Sequence, residues 1–130
     1  MNTLDNRPII PTAEIFQSTK DIEAFQNQTL RPIIKKLHLL LINHFSALLA
    51  NRKGDYFKIA QDKKEDYIRA IFQNENRYKT ELKGMIIGHF SIDEFEKYSY
   101  FTRLVDKRIY SIVEERILTS QKELKNFKTS

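Results

Sequence analysis

The sequence predicts an all-α protein, a bundle of about five helices with an extended N-terminal arm and a long C-terminal helix. The 130 residues include only 3 Gly and 3 Pro, too few for the many tight turns of a β-rich fold. Apolar residues recur every three or four positions along most of the chain, as they do in amphipathic helices. No stretch alternates in the manner of a strand, and the chain length fits one domain.

The first 17 residues are predicted to form the arm, and residues 18–130 the single helical domain. Pro8 and Pro11 disfavour helix in the residues that precede them. Apolar side chains of this segment could anchor it on the core or on a partner subunit.

Two helices are predicted to meet near Thr29, with Pro32 in the first turn of the second helix. The first covers about residues 19–29, because Ser18 or Thr19 can cap it and Pro32 ends or kinks it. The second reaches about Asn51, and its apolar residues fill an arc of about 200°, which must be covered on two sides. These residues are Ile33, Ile34, Leu37, Leu41, Ile42, Phe45, Leu48 and Leu49. It is the predicted central helix.

Capping signals mark the starts of the three remaining helices. The pattern Asp62–Glu65 begins the third, Asn74 can cap the fourth, and Ser91–Glu94 begins the fifth. The apolar residues of the fifth helix, starting with Ile92 and Phe95, stay on one face as far as Phe127. Residues 92–127 are therefore predicted to form one helix. It would be about 54 Å long, whereas a compact domain of this size is about 36 Å across. Its end therefore frays, bends or packs on another subunit.

Composition and charge exclude several chemistries. Without cysteine the chain has no disulfide scaffold, cysteine-ligated zinc, iron–sulfur cluster or thiol catalysis. The 22 basic and 17 acidic residues give a net charge of +5, but the cations are spread along the chain. A nucleic-acid partner is not expected, because such binders concentrate their cations on one face. The alternative is a helix-turn-helix of the third and fourth helices, which would expose Arg77, Lys79, Thr80 and Lys83.

The sequence also indicates a location. No apolar run is long enough to span a membrane. The first residues lack the basic and apolar regions of a secretory signal. A cytoplasmic protein without membrane contact is therefore predicted.

The three histidines are the first candidates for a ligand site. His38 and His44 both lie in the apolar arc of the second helix, but a six-residue spacing separates them by about 120° and 9 Å, which is poor for one shared metal ion. Neutral imidazoles with hydrogen-bond partners are the favoured interpretation. His89 lies at the junction of the fourth and fifth helices, where it could cap a helix or contact a ligand. No metal site and no cofactor are predicted.

Charged residues and glycines supply the remaining candidates. Asp106 and Arg116 fall in the apolar arc of the last helix, where ionised groups need partners. For Asp106 these could be a histidine of the second helix, Arg103 or a basic residue of another subunit. A structural ion pair is favoured over catalysis. Gly84 and Gly88 share a helix face that predicts close packing of another helix; Gly88 could also stop its helix, and a ligand could lie against the bare backbone.

Four stretches resemble a family of small bacterial proteins that often carry the label "glyoxalase". The stretches are residues 25–35 (FQNQTLRPIIK), 64–68 (KEDYI), 82–95 (LKGMIIGHFSIDEF) and 113–117 (VEERI). The label implies a glyoxalase activity, but the residues match none of its known chemistries. The metal-dependent glyoxalases carry their metal ligands on strands, and no strand is predicted here. The hydrolase that acts after them in the same pathway needs a dense histidine motif, which this sequence lacks. The cofactor-independent type uses a nucleophilic cysteine, and this chain has none. An activity would need an atypical site built from His38, His44 or His89 with Asp106.

The sequence therefore predicts a non-catalytic, cytoplasmic helical interaction or regulatory module. The wide apolar arc, the overlong last helix and the apolar arm favour a homodimer and an unknown protein partner. The alternatives are an enzyme with the atypical histidine and aspartate site, and a weak nucleic-acid-binding module.

Overall fold

The structure is a computed structural model that describes residues 12–127, with side chains described from residue 19 onward. Over these residues the chain forms helices and no strand, so the predicted all-α fold is confirmed. The helices are α1 (Thr12–Phe25), α2 (Arg31–Lys36), α3 (His38–Asn51), α4 (Gln61–Asn74), α5 (Asn76–Ile87), α6 (Ile92–Tyr100) and α7 (Thr102–Thr119). A π turn (Gln26–Leu30) joins α1 to α2, and 3-10 turns (Asp55–Lys58 and Gln121–Glu123) follow α3 and α7.

Helix α1 continues through the π turn into α2 without a break. Phe25, Leu30 and Arg31 all keep right-handed helical dihedrals. Pro32 therefore lies inside one continuous helical rod, and the predicted break between two helices at about Thr29 is wrong. A proline ring in a regular helix clashes with the carbonyl four residues earlier. The wider π turn just before Pro32 makes room for the ring.

The rod bends at Leu37 instead. Leu37 has φ −90° and ψ 10°, and the axes of Thr19–Lys36 and His38–Asn51 differ by 68°. No single described helix is long and apolar enough to cross a membrane, although this bent pair reaches the required size by length and composition.

The N-terminal boundary also differs from the prediction. Helix α1 begins at Thr12, so residues 12–17 are helical and that part of the predicted extended arm is wrong. Residues 1–11 of the arm lie outside the described residues. Proline disfavours helix in the residue before it and not in the residues after it. Residues 12–17, which follow Pro11 and contain no proline, are therefore able to join the helix.

The predicted single helix over residues 92–127 is wrong as well. Phe101, with φ −134° and ψ 32°, separates α6 from α7. Helix α7 ends at Thr119, and after the 3-10 turn the chain continues without regular secondary structure to residue 127. The bend and the early end resolve the conflict between a 36-residue helix and the size of the domain.

One predicted capping pattern forms and two do not. The Ser91 hydroxyl accepts a hydrogen bond from the Glu94 backbone N–H at 3.1 Å, and the Glu94 carboxylate accepts from the Ser91 N–H at 2.8 Å. This is the predicted capping box at the start of α6. Helix α4 begins one residue before Asp62 and has no side-chain cap, and Asn74 ends α4 rather than capping α5.

The core lies where α3, α4, α5 and α7 meet. The apolar arc predicted for the second helix is divided between α2, Leu37 and α3, and all eight of its residues are buried or half-buried. Helix α3 is central. Its Phe45 stacks on Phe72 of α4 at 5.8 Å between ring centroids and meets Tyr78 of α5 edge-on at 5.5 Å. Helix α7 places one buried side chain in the core at each turn, and these are Val105, Ile109, Val113 and Ile117.

The segment after α7 packs back on α3. Leu124 is buried in the core. The Lys125 backbone N–H donates to the Ser46 hydroxyl at 2.9 Å, and the Tyr56 hydroxyl donates to the Gln121 side chain at 2.6 Å. The tail is thereby tied to the central helix.

Candidate functional site

His38 connects α3 to α7 and to the tail. Its Nδ1 lies 3.0 Å from Nη1 of Arg116, and its Nε2 lies 2.8 Å from Oε1 of Glu123. A guanidinium only donates hydrogen bonds, so Nδ1 accepts and the Nε2–H donates to Glu123. His38 is therefore the neutral, hydrogen-bonded imidazole that the sequence favoured, and it is the partner that Arg116 needs.

His44 makes a separate contact with α5. Its Nε2 lies 2.9 Å from Oε1 of Glu81, and its ring stacks on Tyr78 at 5.1 Å. The hydrogen bond from His44 lowers the pKa of Glu81, and the nearby Arg77 lowers it further. Burial raises the pKa of the Tyr78 hydroxyl. These contacts hold α3 against α5.

His89 serves as a local cap. Its Nδ1 lies 3.0 Å from the Met85 carbonyl at the end of α5. A carbonyl only accepts, so Nδ1 carries the proton. The imidazole occupies one of the orphan acceptors that every helix end leaves.

Asp106 joins three helices. Its Oδ1 accepts a hydrogen bond from the Tyr98 hydroxyl at 2.7 Å, and its Oδ2 lies 3.4 Å from the Lys83 ammonium. Burial raises the pKa of Tyr98, and the Asp106 carboxylate raises it further. The partners expected from the sequence, a histidine of the second helix or Arg103, are not the ones found. The geometry is that of a structural ion pair.

The four candidate residues do not form one site among the described residues. Each hydrogen-bonds to its own partners, and no hydrogen bond joins any two of them. No group of three histidine, aspartate or glutamate side chains in the described part of the chain is placed to hold a metal ion.

The predicted close-packing face of α5 is not used by the described chain. A Cβ built on Gly84 would meet no described atom within 4 Å, and both glycines are exposed. The prediction of a helix packed against Gly84 within the bundle is therefore wrong. Gly88 directly follows the last residue of α5 but keeps right-handed helical dihedrals, φ −60° and ψ −14°, so it does not use the left-handed conformation by which glycine commonly stops a helix.

The basic residues of α5 each contact another side chain of the bundle. Arg77 pairs with Glu81 at 3.3 Å, Lys79 lies 5.4 Å from the centre of the Tyr110 ring, and Lys83 contacts Asp106. The Thr80 hydroxyl donates to the Asn76 carbonyl. These separate contacts do not support the continuous basic face that the helix-turn-helix alternative requires, although the Arg77 side chain is 92% exposed.

Sequence reasoning missed an exposed apolar face on α6. Ile92 is 78% exposed, Tyr100 65% and Phe95 49%, although the sequence placed Ile92 and Phe95 in the buried arc of one long helix. The bend at Phe101 turns α6 so that Tyr98 alone is buried. We call Ile92, Phe95 and Tyr100 the α6 apolar face. Leu104 of α7, 47% exposed, follows one turn beyond Tyr100.

Unpaired charges flank the α6 apolar face. Asp93 lies at the N-terminal end of α6, Glu96 and Lys97 lie near its middle, and Arg103 and Lys107 lie on α7 beyond the bend. All five are exposed, and none forms an ion pair with a described residue.

Comparison of the chain with protein-family models, curated proteins and solved structures finds no match.

Proposed function

We propose that this protein is a non-catalytic, cytoplasmic helical interaction module that associates with a second copy of itself through the α6 apolar face. The observation that carries the proposal is that α6 turns three large apolar side chains outward and buries one. A contiguous exposed apolar patch in a folded domain is the usual mark of an interaction surface.

The size of the α6 apolar face supports association with a folded partner. Ile92 and Phe95 lie one turn apart, and Tyr100 lies about 80° from Ile92 and about 140° from Phe95 around the helix. Burying an aliphatic or aromatic side chain of this kind stabilises a complex by about 1.5–3 kcal/mol. Aromatic residues are also enriched in the centres of protein interfaces.

The charge pattern supports a second copy as the occupant. In a twofold dimer the same patch lies on both sides, so it must complement itself. Antiparallel packing of α6 on its partner's α6 would bring Asp93 and Glu96 of one copy toward Arg103 and Lys107, which follow α6 in the other copy. These four side chains would then meet charges of opposite sign, and the apolar side chains would be enclosed between them.

A second exposed apolar pair is less suited to self-association. Leu39 and Leu40 are also exposed, at the start of α3. The charges next to them are both positive, Lys35 and Lys36. Around a twofold axis these lysines would face their own copies, which repels. We infer that this pair is not the homodimer surface.

The absence of catalysis is part of the proposal. It is supported by the separate structural roles of His38, His44, His89 and Asp106, which would have to converge in an enzyme. We also propose that the chain belongs with the small helical bacterial proteins that it resembles, and that their "glyoxalase" label does not describe its activity.

The test is a pair of matched substitutions, each placing a carboxylate in an exposed apolar position. Ile92→Glu should convert the dimer to a monomer in light scattering, because it inserts a charge into the enclosed interface. Leu39→Glu should leave the dimer intact. Circular dichroism and thermal unfolding of both variants control for folding. A dimer that survives Ile92→Glu, or that Leu39→Glu dissociates equally, would contradict the proposal.

A further inference from the structure

A cleft of about 440 Å³ separates the π turn and α2 from α7. It is lined by Gln26, Arg31, Arg108, Ser111, Ile112, Glu115, Arg116, Thr119 and Ser120. Its volume falls in the range of small-molecule sites. None of its lining residues belongs to the α6 apolar face, so ligand binding here does not depend on dimerisation through that face.

Three arginines line this cleft, and each donates a hydrogen bond to a neutral side chain. Arg31 donates to the Asn27 side chain at 3.2 Å, and Arg116 to the neutral His38 ring at 3.0 Å. Arg108 donates to the side-chain oxygen of Gln26. None of these bonds brings a carboxylate directly to a guanidinium, and Glu123 reaches Arg116 only through the His38 ring between them.

Three of the four described arginines outside the cleft show a different pattern, and the fourth, Arg103, forms no ion pair with a described residue. Arg52 pairs with Glu75, Arg69 with Glu65 and Glu114, and Arg77 with Glu81. The arginines without a described carboxylate partner within 4 Å therefore include all three that line the cleft. The cleft has three guanidiniums and one carboxylate, so its net charge is positive.

We propose that the cleft binds a small phosphorylated molecule, with the phosphoryl group held between Arg31 and Arg108. Arg108 and Arg116 are half-buried, and a partly desolvated cation gains most from an anion that replaces the lost water. The planar guanidinium matches two oxygens of a phosphoryl group at once. Ser111 adds a hydroxyl to the same wall.

The position of Glu115 assigns the orientation of the ligand. Glu115 lies two turns along α7 from Arg108 and closer to the carboxyl end of the helix, where the dipole disfavours anions. The phosphoryl group therefore lies at the Arg108 end. The rest of the molecule lies along Ile112 toward Glu115, which accepts a hydrogen bond from a hydroxyl or amino group.

The experiment is a titration of the full chain with inorganic phosphate and pyrophosphate, followed by calorimetry and by backbone amide NMR. Sodium chloride at matched ionic strength is the control for screening. Saturable binding is expected, with the largest shifts at residues 108–112. Arg108→Gln should weaken it at least tenfold, because it removes the charged hydrogen bonds from the guanidinium to the phosphate oxygens.

Two further variants separate this site from general charge effects. Arg77→Gln removes one positive charge outside the cleft and should leave the affinity unchanged. Glu115→Gln should tighten phosphate binding about threefold, because it removes a repelling carboxylate. Arg31→Gln, at an exposed position, repeats the test if Arg108→Gln lowers the thermal stability.

The proposal is overturned by three results. These are the absence of saturable binding, an equal loss of affinity in Arg77→Gln and in the cleft variants, and NMR shifts that lie away from α7. A dimer that loses phosphate binding in Arg108→Gln would support the cleft, whereas loss of dimerisation in Ile92→Glu would leave it untouched. Failure of one proposal is thereby distinguished from failure of the other.

Discussion

Asp106 and Arg116 are the two charged residues that the sequence placed on an apolar helix face. Both have the partners that such groups require: Asp106 contacts Tyr98 and Lys83, and Arg116 contacts His38. The need for a partner could be predicted from sequence, because an isolated buried charge is costly. The identity of the partner could not, since it depends on how α5, α6 and α7 meet.

The hydrogen bond between Tyr98 and Asp106 gives a prediction at the residue scale. Tyr98→Phe removes the donor and leaves the half-buried Asp106 with Lys83 alone. We expect the free energy of unfolding to fall by about 1–2 kcal/mol, measured by urea denaturation. Tyr110→Phe is the matched control, because its hydroxyl makes no hydrogen bond to a described residue, and it should change stability by less than about 0.5 kcal/mol. Equal effects of the two substitutions would contradict the assigned role.

At the scale of elements, helix content was more predictable than helix boundaries. The apolar spacing of α3 and α7 and the capping box of α6 could be read from sequence and are present. The bends at Leu37 and Phe101 could not, because the apolar phase runs through both without a slip. A straight helix and a bent one with the same periodicity have the same sequence pattern, and tertiary packing decides between them.

The capping box of α6 gives the second prediction. Ser91→Ala removes the side-chain acceptor of the Glu94 N–H, and we expect a loss of about 1 kcal/mol in stability. Ser111→Ala, at an exposed position within α7, is the control and should be neutral or slightly stabilising, since alanine favours helix. Thermal or urea unfolding measures both. A neutral Ser91→Ala would show that the cap does not hold the start of α6.

At the scale of the whole molecule, the bend at Phe101 has the largest consequence. A single long helix would have buried Ile92 and Phe95 with the rest of its arc. The bend instead exposes them beside unpaired charges of both signs. The sequence favoured a homodimer through the wide apolar arc, the long last helix and the apolar arm, whereas the surface proposed here is on α6. The arginine cleft was not predicted either, because Arg31 and Arg108 are far apart in sequence and give no local motif.

Charge complementarity in the dimer gives the third prediction. Glu96→Lys and Arg103→Glu should each weaken the dimer, because each places like charges at a facing position. The double variant should recover affinity, because the two reversed charges face each other again across the twofold axis. The coupling is measured by sedimentation equilibrium of the four proteins. Additive losses in the double variant would exclude the antiparallel arrangement.

The central claim is that this chain is a self-associating helical module. The most direct test is the solution mass of the wild-type protein, measured by light scattering over a wide concentration range. We expect a species of twice the 15.5 kDa chain mass that dissociates to a monomer only on dilution. A mass of one chain at every concentration would contradict it.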